Sequence, residues 1–150
     1  MGKQSVSCSI EIQAPPATVR SVFIDFPRLK EWSKWTVEAS EPGKHPSEWK
    51  AGVRLKANLN SFKFPATIVE NSAESFQWIG SLPGLFTGTH EFHFYPSSQH
   101  PGGTTFTQTE NFSGLLAFVM GPGWSARKKT LENWNTFNAD LKKEVEKSSS

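Results

Sequence analysis

From Ser125 to Lys147 the chain runs without Pro or Gly, and Leu131, Trp134, Phe137, Leu141 and Val145 recur at three- and four-residue steps. That period lays an apolar stripe along one face of an α-helix. Lys128, Lys129, Glu132, Lys142, Lys143 and Glu146 fall between the apolar positions and make the wet face. At about 1.5 Å per residue the helix is roughly 33 Å long, the width of a small domain. One helix cannot bury such a stripe alone. Nearly everything before it alternates with the period of a β-strand, so its partner is a sheet.

Val6 to Ile12 alternates strictly and predicts the first strand. The Pro15-Pro16 pair ends it and starts a short helix through Val22 and Phe23, since Pro fits the first helical position. Pro27 begins a second short helix that ends near Trp32, and Trp35 to Ala39 reads as a strand. Glu41 to Pro46 is loop. Val53, Leu55, Ala57 and Leu59 alternate with polar residues as a half-buried strand. Phe64–Glu70 and Ser75–Gly80 form one hairpin, in which the inward face of the first strand stays open; Thr89–Tyr95 and Thr104–Ser113 form another. Leu82 to Phe86 and Gly114 to Gly123 are apolar stretches punctuated by Gly and Pro, expected either to gate a pocket mouth or to tuck beneath the helix. Ser148 to Ser150 read as a disordered tail. The short connections predict an antiparallel sheet whose dry face covers the helix: one α+β domain over residues 1–150.

Composition adds three points. A chain of 150 residues buries roughly 70% of its unfolded surface in a single domain. The single Cys8 cannot pair within the chain, which suits a reducing, cytoplasmic setting. The net charge of +2, with acids and bases mixed, gives no sign of a nucleic-acid or anionic-membrane partner. No apolar run reaches membrane-spanning length, no signal-peptide core is visible, and Val6 stands where myristoylation needs Ser or Thr. Phe and Trp number 12 and 6 against a single Tyr, more large rings than an ordinary core requires. Either the core is crowded or the rings line a space that holds something else.

The second hairpin carries the candidate chemistry. With its loop centred near His100, Phe94 faces Phe106, Phe92 faces Gln108 and His90 faces Glu110. Opposed residues of an antiparallel pair share a face. One face then holds His90, Phe92, Phe94, Phe106, Gln108, Glu110 and Phe112; the other holds Thr, Ser, Asn, Glu91, His93 and Tyr95. The first is the dry face, yet it contains three polar side chains. An unpaired polar group in a core costs about 1–3 kcal/mol, so these groups pair with one another, with water or with a ligand. Two readings stand side by side. His90 and Glu110 orient a ligand carbonyl or hydroxyl, with work as general acid or base a further use, or they form a hydrogen bond that only fixes strand register. His90 and His93 point to opposite faces and cannot chelate one ion, and no metal or other cofactor is expected. No phosphate loop, dinucleotide fingerprint or nucleophile elbow is present.

Several stretches resemble the SRPBCC superfamily: Ile10 to Val19, Asp25-Phe26 with Trp32, Phe76 to Gly80, His90 to Phe94, and Thr105 to Gly114. That superfamily includes polyketide cyclases/dehydratases, START lipid-transfer domains and proteins like the birch-pollen allergen. One departure is that Trp-Xaa-Pro, common in the relatives after the second helix, is here Trp32-Ser33-Lys34. The resemblance implies a helix-grip fold, a curved antiparallel sheet of about seven strands around the C-terminal helix with a ligand cavity between. It also implies a small hydrophobic ligand, lipid-, aromatic- or polyketide-like. The expected wall is Trp32, Trp35, Leu55, Leu59, Phe76, Trp78, Phe92, Phe94, Phe106, Gln108 and Phe112 from the sheet side, with Trp134, Phe137 and Leu141 from the helix. Core packing is the alternative role for each. Two functions follow, a binder or carrier and a cyclase/dehydratase-like enzyme working through His90 and Glu110. The oligomeric state is left open.

Overall fold

A computed structural model describes residues 2–40, 43–82 and 86–147. Strand β1 (Gly2–Ile12) leads into helix α1 (Pro16–Phe23), and a 3-10 turn over Phe26–Glu31 follows. Six further strands come next: β2 (Trp35–Ala39), β3 (Arg54–Leu59), β4 (Lys63–Asn71), β5 (Ser75–Leu82), β6 (Phe86–Pro96) and β7 (Thr104–Gly114). A short 3-10 turn at Ala117–Met120 precedes helix α2 (Ser125–Lys147). All seven strands form one antiparallel sheet in the order β1-β7-β6-β5-β4-β3-β2. This is the helix-grip architecture, with α2 laid across the inner face. Of the loop expected at Leu82–Phe86, Leu82 ends β5 and Phe86 begins β6, while residues 83–85, residues 41–42 of the loop expected at Glu41–Pro46 and the tail at Ser148–Ser150 lie outside the described residues.

The expected register of the second hairpin is the observed one, His90 opposite Glu110 and Phe92 opposite Gln108. Both strands run longer than their alternation suggested, because the flanking Gly and Pro residues still fit at strand ends. The inward face of β4 is Ala66 and Ile68, and a bulge between Ile68 and Glu70 leaves Glu70 outside with Val69 and brings Asn71 to the inner face, opposite Phe76. Periodicity could not reveal that, since one extra residue reverses the alternation.

Polar side chains help hold the helices onto the sheet. Arg20 of α1 donates to the Ser72 carbonyl (2.9 Å) and to Asn71 Oδ1 (2.6 Å), while Asn71 donates to the carbonyls of Pro46 and Trp49. Lys142 of α2 donates to the Glu11 carbonyl at 2.9 Å, and Glu146 accepts the Gln13 N–H at the same distance.

The core is built around Phe23, which α1 drives into the middle of the sheet. Its ring meets those of Phe26, Phe76, Phe92, Phe94, Phe106 and Phe137 with centroids 4.8 to 6.2 Å apart. Trp35 stacks on Phe137 at 3.9 Å. Edge-on and offset ring pairs add about 0.5–1.5 kcal/mol each beyond area burial. Replacing Phe23 with Ala removes the common partner of six rings, and we expect a loss of about 3–5 kcal/mol in urea unfolding. A loss below about 1 kcal/mol would show that the neighbouring rings collapse into the gap.

Candidate functional site

A thread of polar side chains crosses this aromatic core. His90 Nε2 lies 2.9 Å from Gln108 Oε1, and Gln108 Nε2 donates to Asn138 Oδ1 of α2 at 2.8 Å. Asn138 Nδ2 in turn points to Cys8 Sγ of β1 at 3.3 Å. His90, Gln108 and Asn138 are each at most 1% exposed. The amide orientations set the imidazole tautomer: Gln108 offers its oxygen, so His90 carries its proton on Nε2. His90 Nδ1 is then a bare acceptor, and it has no hydrogen-bond partner. The nearest charged-group atom is Oε1 of Glu110, 3.5 Å away.

Glu110 leads from that thread to a pocket of about 150 Å³. The pocket lies between the sheet and the first half of α2, lined by Leu59, Phe64, Phe112, Met120 and Trp134 together with Gly80, Gly88 and the Glu110 side chain. Phe62, Lys63, Ser81, Phe86, Thr130 and Asn133 complete its wall. Gly80 and Gly88 are paired across β5 and β6, both on the inner face, so the hollow exists where two adjacent strands omit their side chains. A Cβ on Gly88 would run into Glu110 Oε2 well inside contact distance and would also crowd Phe112. Gly88 therefore makes the room that the carboxyl occupies.

Burial pushes the two titratable groups in opposite directions. Desolvation lowers His90 to about 3, the bond to Gln108 offsetting only part of it, and raises Glu110 to about 8. Both are uncharged at neutral pH, so the 3.5 Å approach is that of a carboxylic acid and a neutral imidazole. A carboxyl with this pKa holds a proton where an ordinary one has lost it.

The expected wall residues divide. Leu59, Glu110, Phe112 and Trp134 line the pocket, as do Phe86 and Met120 from the two apolar stretches. Trp35, Leu55, Phe76, Trp78, Phe92, Phe94, Phe106, Phe137 and Leu141 are buried in the packed core and do not reach it, and half-buried Trp32 lies against Phe137. For these residues the core-packing role is the one the structure places, with Phe23 filling the space between Phe76, Phe92, Phe94, Phe106 and Phe137. His90 and Gln108 stand behind Glu110, so one member of the expected acid–base pair reaches the pocket. Gly80, Gly88 and Asn138 were missed, although Asn138 interrupts a 134–138–141–145 repeat and so carried a signal. The 114–123 stretch is split between the interior and the surface. Ala117 and Met120 tuck inward, while Leu115 and Phe118 are exposed.

The chain belongs to the polyketide cyclase / dehydrase and lipid transport family, whose model matches residues 3–146, and so to the SRPBCC superfamily. No curated protein matches it by sequence. Among solved structures it is similar to a hypothetical protein of Helicobacter pylori (14% identity, 92% of this chain and 85% of that one, TM-score 0.71). It is also similar to a START superfamily protein from Mycobacterium smegmatis (18%, 97% and 99%, TM-score 0.68). A third likeness is to the Zhui aromatase/cyclase from Streptomyces sp. R1128 (17%, 99% and 97%, TM-score 0.61). At these identities the likeness is one of fold. No helix among the described residues is long and apolar enough to cross a membrane.

The opposed pKa shifts give the fold a particular pH dependence. Between pH 3 and the ordinary histidine value of 6.5, the unfolded chain binds a proton that folded His90 refuses, so stability rises with pH. Between the ordinary glutamate value of 4.5 and pH 8, folded Glu110 keeps a proton that the unfolded chain has lost, so stability falls as pH rises. The two slopes cancel from about 4.5 to 6.5, leaving a plateau with a decline on each side. Urea unfolding from pH 3 to 9 should show it, and Glu110→Gln should remove the decline between 6.5 and 8. An unchanged alkaline limb in that variant would assign the decline to other groups.

Proposed function

We propose that this protein is a binder or carrier that holds a small, largely apolar molecule in the pocket beside Glu110. The observation that carries this reading is an apolar hollow beside two facing glycines, with one half-buried carboxyl in its wall. Apolar lining supplies affinity and a single polar group fixes orientation, the usual division of labour in small-molecule sites. At about 150 Å³ the pocket suits one ring, or one end of a longer lipid- or polyketide-like molecule whose remainder leaves past Phe62 and Lys63. The family's description, which pairs cyclase/dehydrase with lipid transport, supports the ligand class. The free thiol of Cys8 agrees with a cytoplasmic location.

The second reading is a cyclase/dehydratase-like enzyme, favoured by the raised pKa of Glu110. A carboxylic acid that is still protonated at neutral pH is a competent general acid for water loss or aldol-type closure. His90, held neutral, contributes an acceptor rather than a charge.

Native mass spectrometry of freshly purified protein, followed by titration of single-ring and polyketide-like compounds, tests the binder. Gly88→Ala displaces the carboxyl into the hollow, and Thr130→Trp narrows the mouth from the helix side without touching the sheet. We expect each to weaken binding at least about tenfold, or 1.4 kcal/mol. Full affinity in both variants would move the ligand elsewhere. Turnover that disappears in Glu110→Gln would favour the enzyme.

A further inference from the structure

The donor and acceptor pattern around Glu110 specifies more than a carboxyl in an apolar wall. His90 Nδ1 is an acceptor without a donor, because Gln108 Oε1 takes the Nε2 proton and Asn138 Oδ1 takes the Gln108 amide proton. Glu110 Oε1 lies 3.5 Å from that bare nitrogen. Were Oε1 the carbonyl oxygen of the acid, two buried lone pairs would face each other with no proton between them. Leaving a buried acceptor unsatisfied costs about as much as a lost hydrogen bond. The acid proton therefore belongs on Oε1, directed at Nδ1, and a shift of roughly 0.5 Å closes the pair to hydrogen-bond length.

That leaves Oε2 for the pocket. It occupies the space above Gly88, where a Cβ would collide with it, and no hydrogen bond reaches it among the described residues. With the proton held on the other oxygen, Oε2 is a carbonyl acceptor. The other amide in the wall is already committed: Asn133 accepts from Trp35 Nε1 at 3.0 Å and donates to the Leu59 carbonyl at 3.0 Å. Ser81 and Lys63 are exposed and Thr130 is half-exposed, so water competes for all three.

We propose that the pocket selects ligands bearing a hydrogen-bond donor, a phenolic or enolic hydroxyl or an N–H, over ligands of the same size that offer only an acceptor. This rests on the binding reading above and sharpens it, since a general carbonyl-or-hydroxyl site has no such preference. Gln108 and Asn138 act here as positioning residues. They never meet the ligand, but they fix which imidazole nitrogen is bare and so which face of the acid is turned outward.

Phenol, toluene and benzaldehyde have similar size and differ in this one property, and calorimetric titration of each at pH 7 tests the proposal. Phenol should bind at least tenfold more tightly than either of the others. Glu110→Gln should keep that order, because its amide N–H can take the place of the acid proton toward Nδ1 while its carbonyl faces the pocket. Glu110→Leu should erase it. In the ligand-free protein, nitrogen NMR should show His90 protonated on Nε2 and bare on Nδ1. Benzaldehyde binding as tightly as phenol, or a proton on Nδ1, overturns the donor preference. If the three bind equally, the pocket stands and the selectivity fails. If none binds at millimolar concentration, both fail together.

Discussion

The hydrogen bond between His90 and Gln108 sits where three requirements of this fold meet. It joins β6 to β7, in a register where a slip of one residue would turn Phe92, Phe94 and Phe106 toward water. It connects, through Asn138, the sheet to the long helix that the sheet grips. It also fixes the imidazole tautomer, and with it the state of the carboxyl beside the pocket. A polar thread in an aromatic core is costly unless each member is satisfied. Here the one unsatisfied end of the thread, His90 Nδ1, lies against the one acid that borders a hollow.

That arrangement divides the interior into two unlike halves. Toward the C-terminal half of α2 the space is solid, with Phe23 at its centre and Trp35 stacked on Phe137. Toward the N-terminal half a pocket remains, and there Gly80 and Gly88 omit the side chains that would crowd Phe64 and Glu110. Close packing in one half permits a defined hollow in the other, since a small pocket keeps its shape when its walls are backed by rings that cannot move independently. Glu110 lies at the boundary, dry enough for its proton to be retained and near enough to the pocket to touch what enters.

Membership of a family described by both cyclase/dehydrase chemistry and lipid transport sets a question that pocket size helps to answer. A volume of about 150 Å³ does not enclose a multi-ring polyketide or a full acyl chain. Occupancy by one ring, or by the end of something longer, fits both the volume and the single polar wall group. Under the proposal above, a carboxyl with a raised pKa would serve either use: as an anchor it would give orientation, and as an acid a proton. The difference between carrier and enzyme thus lies in the ligand's reactivity more than in the protein's groups.

The long helix, the antiparallel order and the two faces of the second hairpin were legible in the sequence, because each depends on local period alone. Leu131 to Val145 could form only one kind of stripe, and strict alternation with a short loop fixed His90 opposite Glu110. Where the interior is full and where it is empty could not be read that way. Phe23 belongs to a short helix whose depth is set by contacts to four strands and to α2, and Phe ring counts do not distinguish a wall from a plug. Gly80 and Gly88 look like ordinary strand glycines until β5 and β6 pair and place them side by side. The direction of every amide in the thread, and hence the tautomer of His90, came from Asn138, 48 residues away in sequence from its imidazole. Period along a chain assigns residues to faces; only the meeting of faces decides what the space between them contains.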